Sequence, residues 1–344
     1  MARRALAGAG YLAAAAAMAA LTGCQVNSLG LDVGPETDAG TDTAPPVDLP
    51  VDLPVETAPP GDGGGRDLVC GPCDSAATFI TLPGGRFKGS TMASPALPSE
   101  NQGSCGGGSA PEAIFKIELF TTSDLFITTH GSGFDTVVYL RRGCCGEEVA
   151  CNDDADGRPT SLIAQRALAA GTYYIYVDGA DSGDAGDFTL DVYATPMAAH
   201  AAEACGRPDR IAADEVTGDT CGAHDDYSPP GGCSSAVSGP NGLDQVYYFV
   251  LDAPGIVTFS TCNNTCIDTV LYLRDVCSDG TGASVLGCHD DDCRASGSCQ
   301  PTGNQVQSRV TAALTAGVHY LVLDTFAAAQ VPCGAFTITP TGVP

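Results

Sequence analysis

One stretch of this chain occurs twice. Phe134-Asp-Thr-Val-Val-Tyr-Leu-Arg141 returns as Ile267-Asp-Thr-Val-Leu-Tyr-Leu-Arg274, 133 residues further on. The same spacing aligns Glu112–Leu119 with Gln245–Asp252. Cys151-Asn-Asp-Asp aligns with Cys288-His-Asp-Asp at 137, Gly171–Asp178 with Gly317–Asp324 at 146, and Phe188-Thr-Leu with Phe336-Thr-Ile at 148. The spacing grows only between anchors, so the second copy carries loop insertions and the chain is a tandem duplication. Whatever one copy folds into, the other must fold into as well.

Each anchor has the alternation of a half-buried strand. Phe115, Ile117 and Leu119 alternate with Lys116 and Glu118; Phe188, Leu190 and Val192 alternate with Thr189 and Asp191. Period two sends one set to a core and the other to water. Tyr, Val, Ile and Thr fill the runs, and Gly, Asp, Ser and Pro separate them. The expected fold is all-β: two tandem antiparallel β-sandwich domains, jelly-roll-like, over 70–195 and 205–344. The Ala-rich stretch 197–204 between them is expected to form a helical turn. The same phase argument places Val318, Tyr320 and Val322 inward, His319 outward in solvent, and Tyr174 and Tyr176 on an exposed face open to a carbohydrate ring.

The chain carries 15 Lys+Arg against 41 Asp+Glu, a formal charge of −26. That excludes nucleic acid as a partner, because phosphate binding needs basic stripes, and anionic membrane surfaces repel it. Residues 1–24 read as a signal peptide: Met1-Ala-Arg-Arg, an Ala-rich apolar run, then Leu21-Thr-Gly-Cys24. Leu-Thr-Gly-Cys resembles the lipobox of bacterial lipoproteins. It implies a lipidated Cys24, and Gln25 after it implies sorting to the outer membrane or cell surface of a Gram-negative bacterium. Residues 25–69 repeat Val-Asp-Leu-Pro, hold no aromatic residue, and read as a disordered, extended linker.

The anchors Asp-Thr-Val-Val-Tyr-Leu, Cys-Asn-Asp-Asp, Gly-Thr-Tyr-Tyr-Ile-Tyr-Val-Asp-Gly and Gly-Asp-Phe-Thr-Leu resemble, in that order, the bacterial pre-peptidase C-terminal domain. Its Cys-rich version in myxobacterial lipoproteins is especially similar. The resemblance covers most of both copies and implies compact β-sandwiches that accompany secreted proteases and surface proteins. The family is mostly non-catalytic, and some members bind matrix polymers or calcium. The second copy departs from the pattern at His289, which replaces Asn, and at Thr325-Phe326, which replaces the Gly.

Of 17 Cys, Cys24 is assigned to the anchor; six fall in the first copy and ten in the second, both even, as pairing within each copy requires. Cys144 with Cys151 and Cys277 with Cys288, which follow Tyr-Leu-Arg in both copies, are each expected to close a hairpin loop. Cys293 with Cys299 is expected to staple the second copy's insertion, and Cys262 with Cys266, Cys221 with Cys233 and Cys205 with Cys333 are the remaining expected pairs. The partners of Cys70, Cys73, Cys105 and Cys145 stay open. Cys70-Gly-Pro-Cys73 lacks both a second zinc-ligand pair and the βαβ context of a redox motif, and reads as structural.

The chemistry available lies in acidic loops. Asn152-Asp153-Asp154-Ala155-Asp156-Gly157 places oxygen side chains at close spacing before a glycine, as loops for hard cations do. With Asp135, and with Asp178 and Asp181 if the loops converge, it is a candidate Ca2+ site. Ile163 at its twelfth position excludes an EF-hand. Asp268, Asp290 and Asp291 form the counterpart in the second copy. No His-Glu-x-x-His, Gly-x-Ser-x-Gly or Walker pattern occurs. The expected function is therefore a non-enzymatic, lipid-anchored surface or envelope protein. Its modules would bind an extracellular polysaccharide, matrix polymer or protein, or act as spacers. The alternative is a hydrolase, or an accessory of one, with a site in the Asp-rich loops.

Overall fold

The computed structural model describes residues 73–93, 101–144, 146–197, 204–229, 233, 242–279, 282–294, 306–326 and 333–344. The expected signal peptide at 1–24 with Cys24, and the linker at 25–69, lie outside them. So do Cys70, Cys145, Cys299 and most of 197–204.

Each copy forms two facing sheets. In the first copy, one sheet runs β1 (Thr78–Ile80), β3 (Ala113–Leu119), β8 (Gly171–Gly179), β5 (Thr136–Arg142), β6 (Glu148–Asn152). The other runs β2 (Gly84–Ser90), β9 (Asp187–Pro196), β4 (Ser123–Thr128), β7 (Leu162–Leu168). The second copy repeats the order. Its first sheet is β10 (Asp209–Arg210), β12 (Gln245–Leu251), β19 (Gly317–Thr325), β14 (Thr269–Arg274), β15 (Val285–His289). Its second is β11 (Val216–Asp219), β20 (Ala335–Thr341), β13 (Gly255–Ser260), β18 (Arg309–Leu314). A ribbon of β16 (Cys293–Arg294) and β17 (Val306–Gln307) occupies the second copy's insertion. Pairing is antiparallel except at the equivalent edges β1–β3 and β10–β12. The chain is a duplicated β-sandwich.

Each sandwich has its own core. Phe115, Ile117, Leu119, Ile175, Leu190 and Val192 meet between the first pair of sheets. Tyr247, Phe249, Leu251, Leu321, Leu323, Phe336 and Ile338 meet between the second. The register corrects one alignment. Phe115 lies opposite Ile175 and Tyr247 opposite Leu321, so Phe115 corresponds to Tyr247 at a spacing of 132, not the 133 read from the sequence. A slip of one residue exchanges the two faces of a strand.

The copies are also fused. The outer face of β4 and β9 packs on the outer face of β12, β14 and β19. It joins Phe126 and Tyr193 to Val246, Tyr248, Val250, Val270, Tyr272, Val318, Tyr320 and Val322. The rings of Phe126 and Tyr248 lie 5.1 Å apart, and those of Tyr193 and Tyr320 meet edge-on at 5.5 Å. This overturns three expectations. Val318, Tyr320 and Val322 face the neighbouring sandwich rather than their own core. His319 is 2% exposed, and its Nε2 lies 2.9 Å from the Thr315 carbonyl oxygen. Asp191, assigned to water, is fully buried between the copies. It takes a bidentate bond from Arg86 (2.7 and 2.9 Å) and the Tyr320 hydroxyl at 2.6 Å. Arg86 reaches on to Asp275 at 2.6 Å and the Val318 carbonyl at 2.9 Å, crossing from one copy to the other.

The disulfides also differ from those expected. Cys144 sits in the turn after β5, while Cys151 lies well along β6, opposite Tyr139. At ~3.3 Å per strand residue that separates them beyond the ~7 Å Cα limit for bridging. Instead Cys73 bonds Cys144 and Cys105 bonds Cys151. In the second copy, Cys205 bonds Cys277 and Cys233 bonds Cys288. The two sets are equivalent: each ties a segment upstream of the sheet to the tip and then to the outer face of one hairpin. Cys221–Cys333 pins the end of β11 to the start of β20, and Cys262–Cys293 ties the turn after β13 to β16. Cys266 is disulfide-bonded too, but Cys262 is not its partner. Six disulfides among the described residues mark a chain that folds in an oxidising compartment, as exported proteins do.

Candidate functional site

The β5–β6 hairpin explains why the acidic loop converges. Val138 lies opposite Asn152 in the antiparallel pair, so Asp135, just before β5, falls beside Asp153 and Asp154, just after β6. One carboxylate oxygen from each of Asp135, Asp153 and Asp154 lies within 4.8 Å of the others. The β14–β15 hairpin does the same with Asp268, Asp290 and Asp291, again within 4.8 Å.

Both clusters are electrostatically unsettled. Partial burial, then the neighbouring Asp153 and Asp154, raise the Asp135 carboxyl above its ordinary range. Burial, then Asp154 and Asp181, raise Asp153. Oδ1 of Asp135 and Oδ1 of Asp153 are buried and accept no hydrogen bond. Burial, followed by Asp290 and Asp291, pushes Asp268 up to about 7. Carboxylates held this close repel one another, and a hard cation relieves that repulsion.

Other candidate residues point elsewhere. Asn152 Oδ1 accepts the Leu162 N–H at 2.8 Å and so orders the loop rather than joining the cluster. Asp156, at φ 58°, turns toward the other copy, where Arg210 donates to it at 2.6 Å. Asp178 is buried and accepts the N–H groups of Gly108 and Gly179 at 2.7 and 2.8 Å. Asp181 is the exception: its carboxylate lies near enough to Asp135 and Asp153 to raise both, while its backbone N–H donates to Asp184 in its own turn. Tyr174 and Tyr176 form no open platform. They are 2% and 0% exposed, under a cover built from the short helix Cys73–Ala76 and the Cys73–Cys144 disulfide. Cys262 and Cys293 approach Asp292, but as a disulfide they offer no thiolate to a metal.

Two repeated features lay outside the sequence reading. One is a buried hydroxyl set beneath the clusters. Thr129 and Thr136 hydroxyls meet at 2.6 Å, and Thr261 and Thr269 at 2.7 Å; Ser161 and Ser308 donate to the Thr136 and Thr269 carbonyls. Ser161 also donates to the Asp153 carbonyl at 2.9 Å, fixing the loop that carries the cluster. The other is a buried acid pair on each first sheet, Glu112 with Asp178 and Asp244 with Asp324. The corrected spacing of 132 aligns Glu112 with Asp244, which was the signal available in the sequence. His130 is buried, faces the Thr160 hydroxyl at 2.5 Å, and is lowered to about 4 by burial. Its neighbour Ser132 donates to the Thr189 carbonyl at 3.3 Å rather than to the imidazole.

No family model matches the chain, and no curated protein matches it. Among solved structures, it is similar to the pre-peptidase C-terminal domain of collagenase from Bacillus anthracis. That similarity has 15% identity and a TM-score of 0.23, covering 34% of this chain and 91% of that one. It is also similar to Aeromonas hydrophila PliG, a periplasmic inhibitor of g-type lysozyme, with 13% identity and a TM-score of 0.25, covering 35% of this chain and 96% of that one. At such scores neither similarity carries an argument about activity or ligand, so the reading of function rests on the residues themselves.

Proposed function

We propose that the protein is a non-enzymatic, exported lipoprotein, held at the outer membrane or cell surface through Cys24, whose fused sandwiches bind an extracellular polymer through calcium-filled loops. One observation carries this reading: three carboxylates converge at the same end of the same hairpin in both copies. Two such sites on one body give a polymer two attachment points, and bivalent contact strengthens weak single sites. The extreme negative charge supports a cation-bridged ligand over a directly bound anion. The polymer is a polysaccharide, a matrix polymer or an extracellular protein. The full-length protein on a glycan and matrix-polymer array, in calcium and then in chelator, tests it. Calcium-dependent binding that Asp153→Asn with Asp290→Asn abolishes is the expected result; binding indifferent to both ends the proposal. The anchor has its own test: fatty-acid labelling of the wild type that Cys24→Ala removes.

A further inference from the structure

The two buried acid pairs occupy equivalent places but are not equally satisfied. In the first copy every carboxylate oxygen has a donor. Glu112 Oε1 accepts the Asn101 amide at 2.7 Å, and Glu112 Oε2 accepts the Tyr139 hydroxyl at 2.8 Å. Asp178 takes the N–H groups of Gly108 and Gly179. In the second copy Asp244 stands where Glu112 stood, one methylene shorter, and Tyr272 stands where Tyr139 stood. The Tyr272 hydroxyl has no hydrogen-bond partner and the ring is fully buried. Oδ1 of Asp244 and Oδ1 of Asp324 are buried and also without partners, on residues 2% and 4% exposed. Three orphaned oxygens therefore share one small region of the outer face of the first sheet. Asp244 and Asp324 fall opposite each other, one step beyond the pair Gln245–Leu323, and Tyr272 lies opposite Val322 on the next strand.

Most of the surroundings is already committed, although the buried Nε of Arg274 also has no hydrogen-bond partner. Asp244 Oδ2 accepts the N–H groups of Asp226 and Tyr227 at 2.6 and 2.7 Å, holding that segment to the sheet. Arg274 bonds the carbonyls of Cys277 and Ser228 at 3.0 and 3.2 Å and lies over the Tyr272 ring. Asp225 adds negative charge nearby. Two desolvated carboxylates with free oxygens and a neutral phenol oxygen make the beginning of a hard-cation shell, which water completes to about six to eight ligands for calcium. Leaving such oxygens buried and unmade costs free energy that a cation would recover.

We infer that Asp244, Asp324 and Tyr272 hold a buried divalent cation of the calcium class in the second copy only, distinct from the two loop clusters. The chain has no Trp, so terbium standing in for calcium is sensitised through tyrosine, and Tyr272 would lie in its shell. The experiment titrates full-length protein carrying Asp135→Asn and Asp268→Asn, which disables the loop clusters. We expect one equivalent of tyrosine-sensitised terbium per chain, displaced by calcium. Adding Asp244→Asn and Asp324→Asn should abolish it, and Tyr272→Phe, which keeps the packing, should weaken it several-fold. If the double Asn variant does not fold, the Tyr272→Phe titration and calcium displacement still decide. The inference is overturned if the loop-cluster variant binds no terbium, or if binding is unchanged by all three substitutions. A folded protein with no cation site, whose stability simply falls as pH rises, would mean that the acid pair shares a proton.

Discussion

Asp191 shows how far one residue's surroundings can depart from its place in an alternating strand. The alternation places it outward, which is correct for an isolated sandwich, but outward here means into the other copy. Leu→polar periodicity reports which side of a strand is which, not what covers the outer side. Removing Arg86 leaves Asp191 charged and buried, which costs about 3–5 kcal/mol. Arg86→Leu should therefore lower the urea midpoint sharply, while Arg86→Leu with Asp191→Leu should regain most of the loss. A fully additive pair would deny the coupling. Asp268 gives a prediction of the opposite pH sense to ordinary carboxylates. Its folded value, about 7, lies above its unfolded value, so the folded state binds the extra proton. Its contribution is fully present below the unfolded value near 4 and is lost as pH rises to about 7. Thermal scans in chelator should show that decline across pH 4 to 7, calcium should reverse it, and Asp268→Asn should flatten it.

At the scale of elements, strand existence and order were legible because period two and the repeated anchors are local signals. The offset of β12 was not, because Gln245–Leu251 is buried at every position and contains no alternation to fix its phase. Only pairing with β19 sets it. Disulfide partners were illegible for a related reason: nearness in sequence favoured Cys144 with Cys151, whereas the hairpin carries them to different heights. The acidic clusters were legible in Asp135, Asp153 and Asp154 because the turn residues flank one hairpin. Asn152 and Asp156 lie outside that triplet, because a backbone N–H and an arginine of the other copy claim them. Cys221–Cys333 spans 112 residues, which the chain-entropy model values at about 4.7 kcal/mol. Replacing both by Ser should cost more stability than replacing Cys262 and Cys293, which close only 31 residues. Comparing the two variants by denaturant titration checks the order.

At the scale of the molecule, two separate beads were expected, and the structure has a third apolar cluster between them. β19 is buried on both faces, by its own core and by β4 and β9. Such a body should unfold as one unit. Calorimetry of the full-length protein should give a single transition with calorimetric and van't Hoff enthalpies equal. Two resolved transitions would mean that the shared face contributes little. Tyr193→Ala, which opens that face and removes the bond to the Cys277 N–H at 3.1 Å, should split the transition.

The proposed calcium ligands sit on hairpins repeated across the fused body, so their effect should be read on the whole molecule. The decisive measurement is the unfolding midpoint of the full-length protein in calcium against chelator, for the wild type and for Asp153→Asn with Asp290→Asn. Calcium should raise the wild-type midpoint clearly, and raise the variant's only by what the buried site alone supplies. A wild-type midpoint that is the same in calcium and in chelator would contradict that expectation.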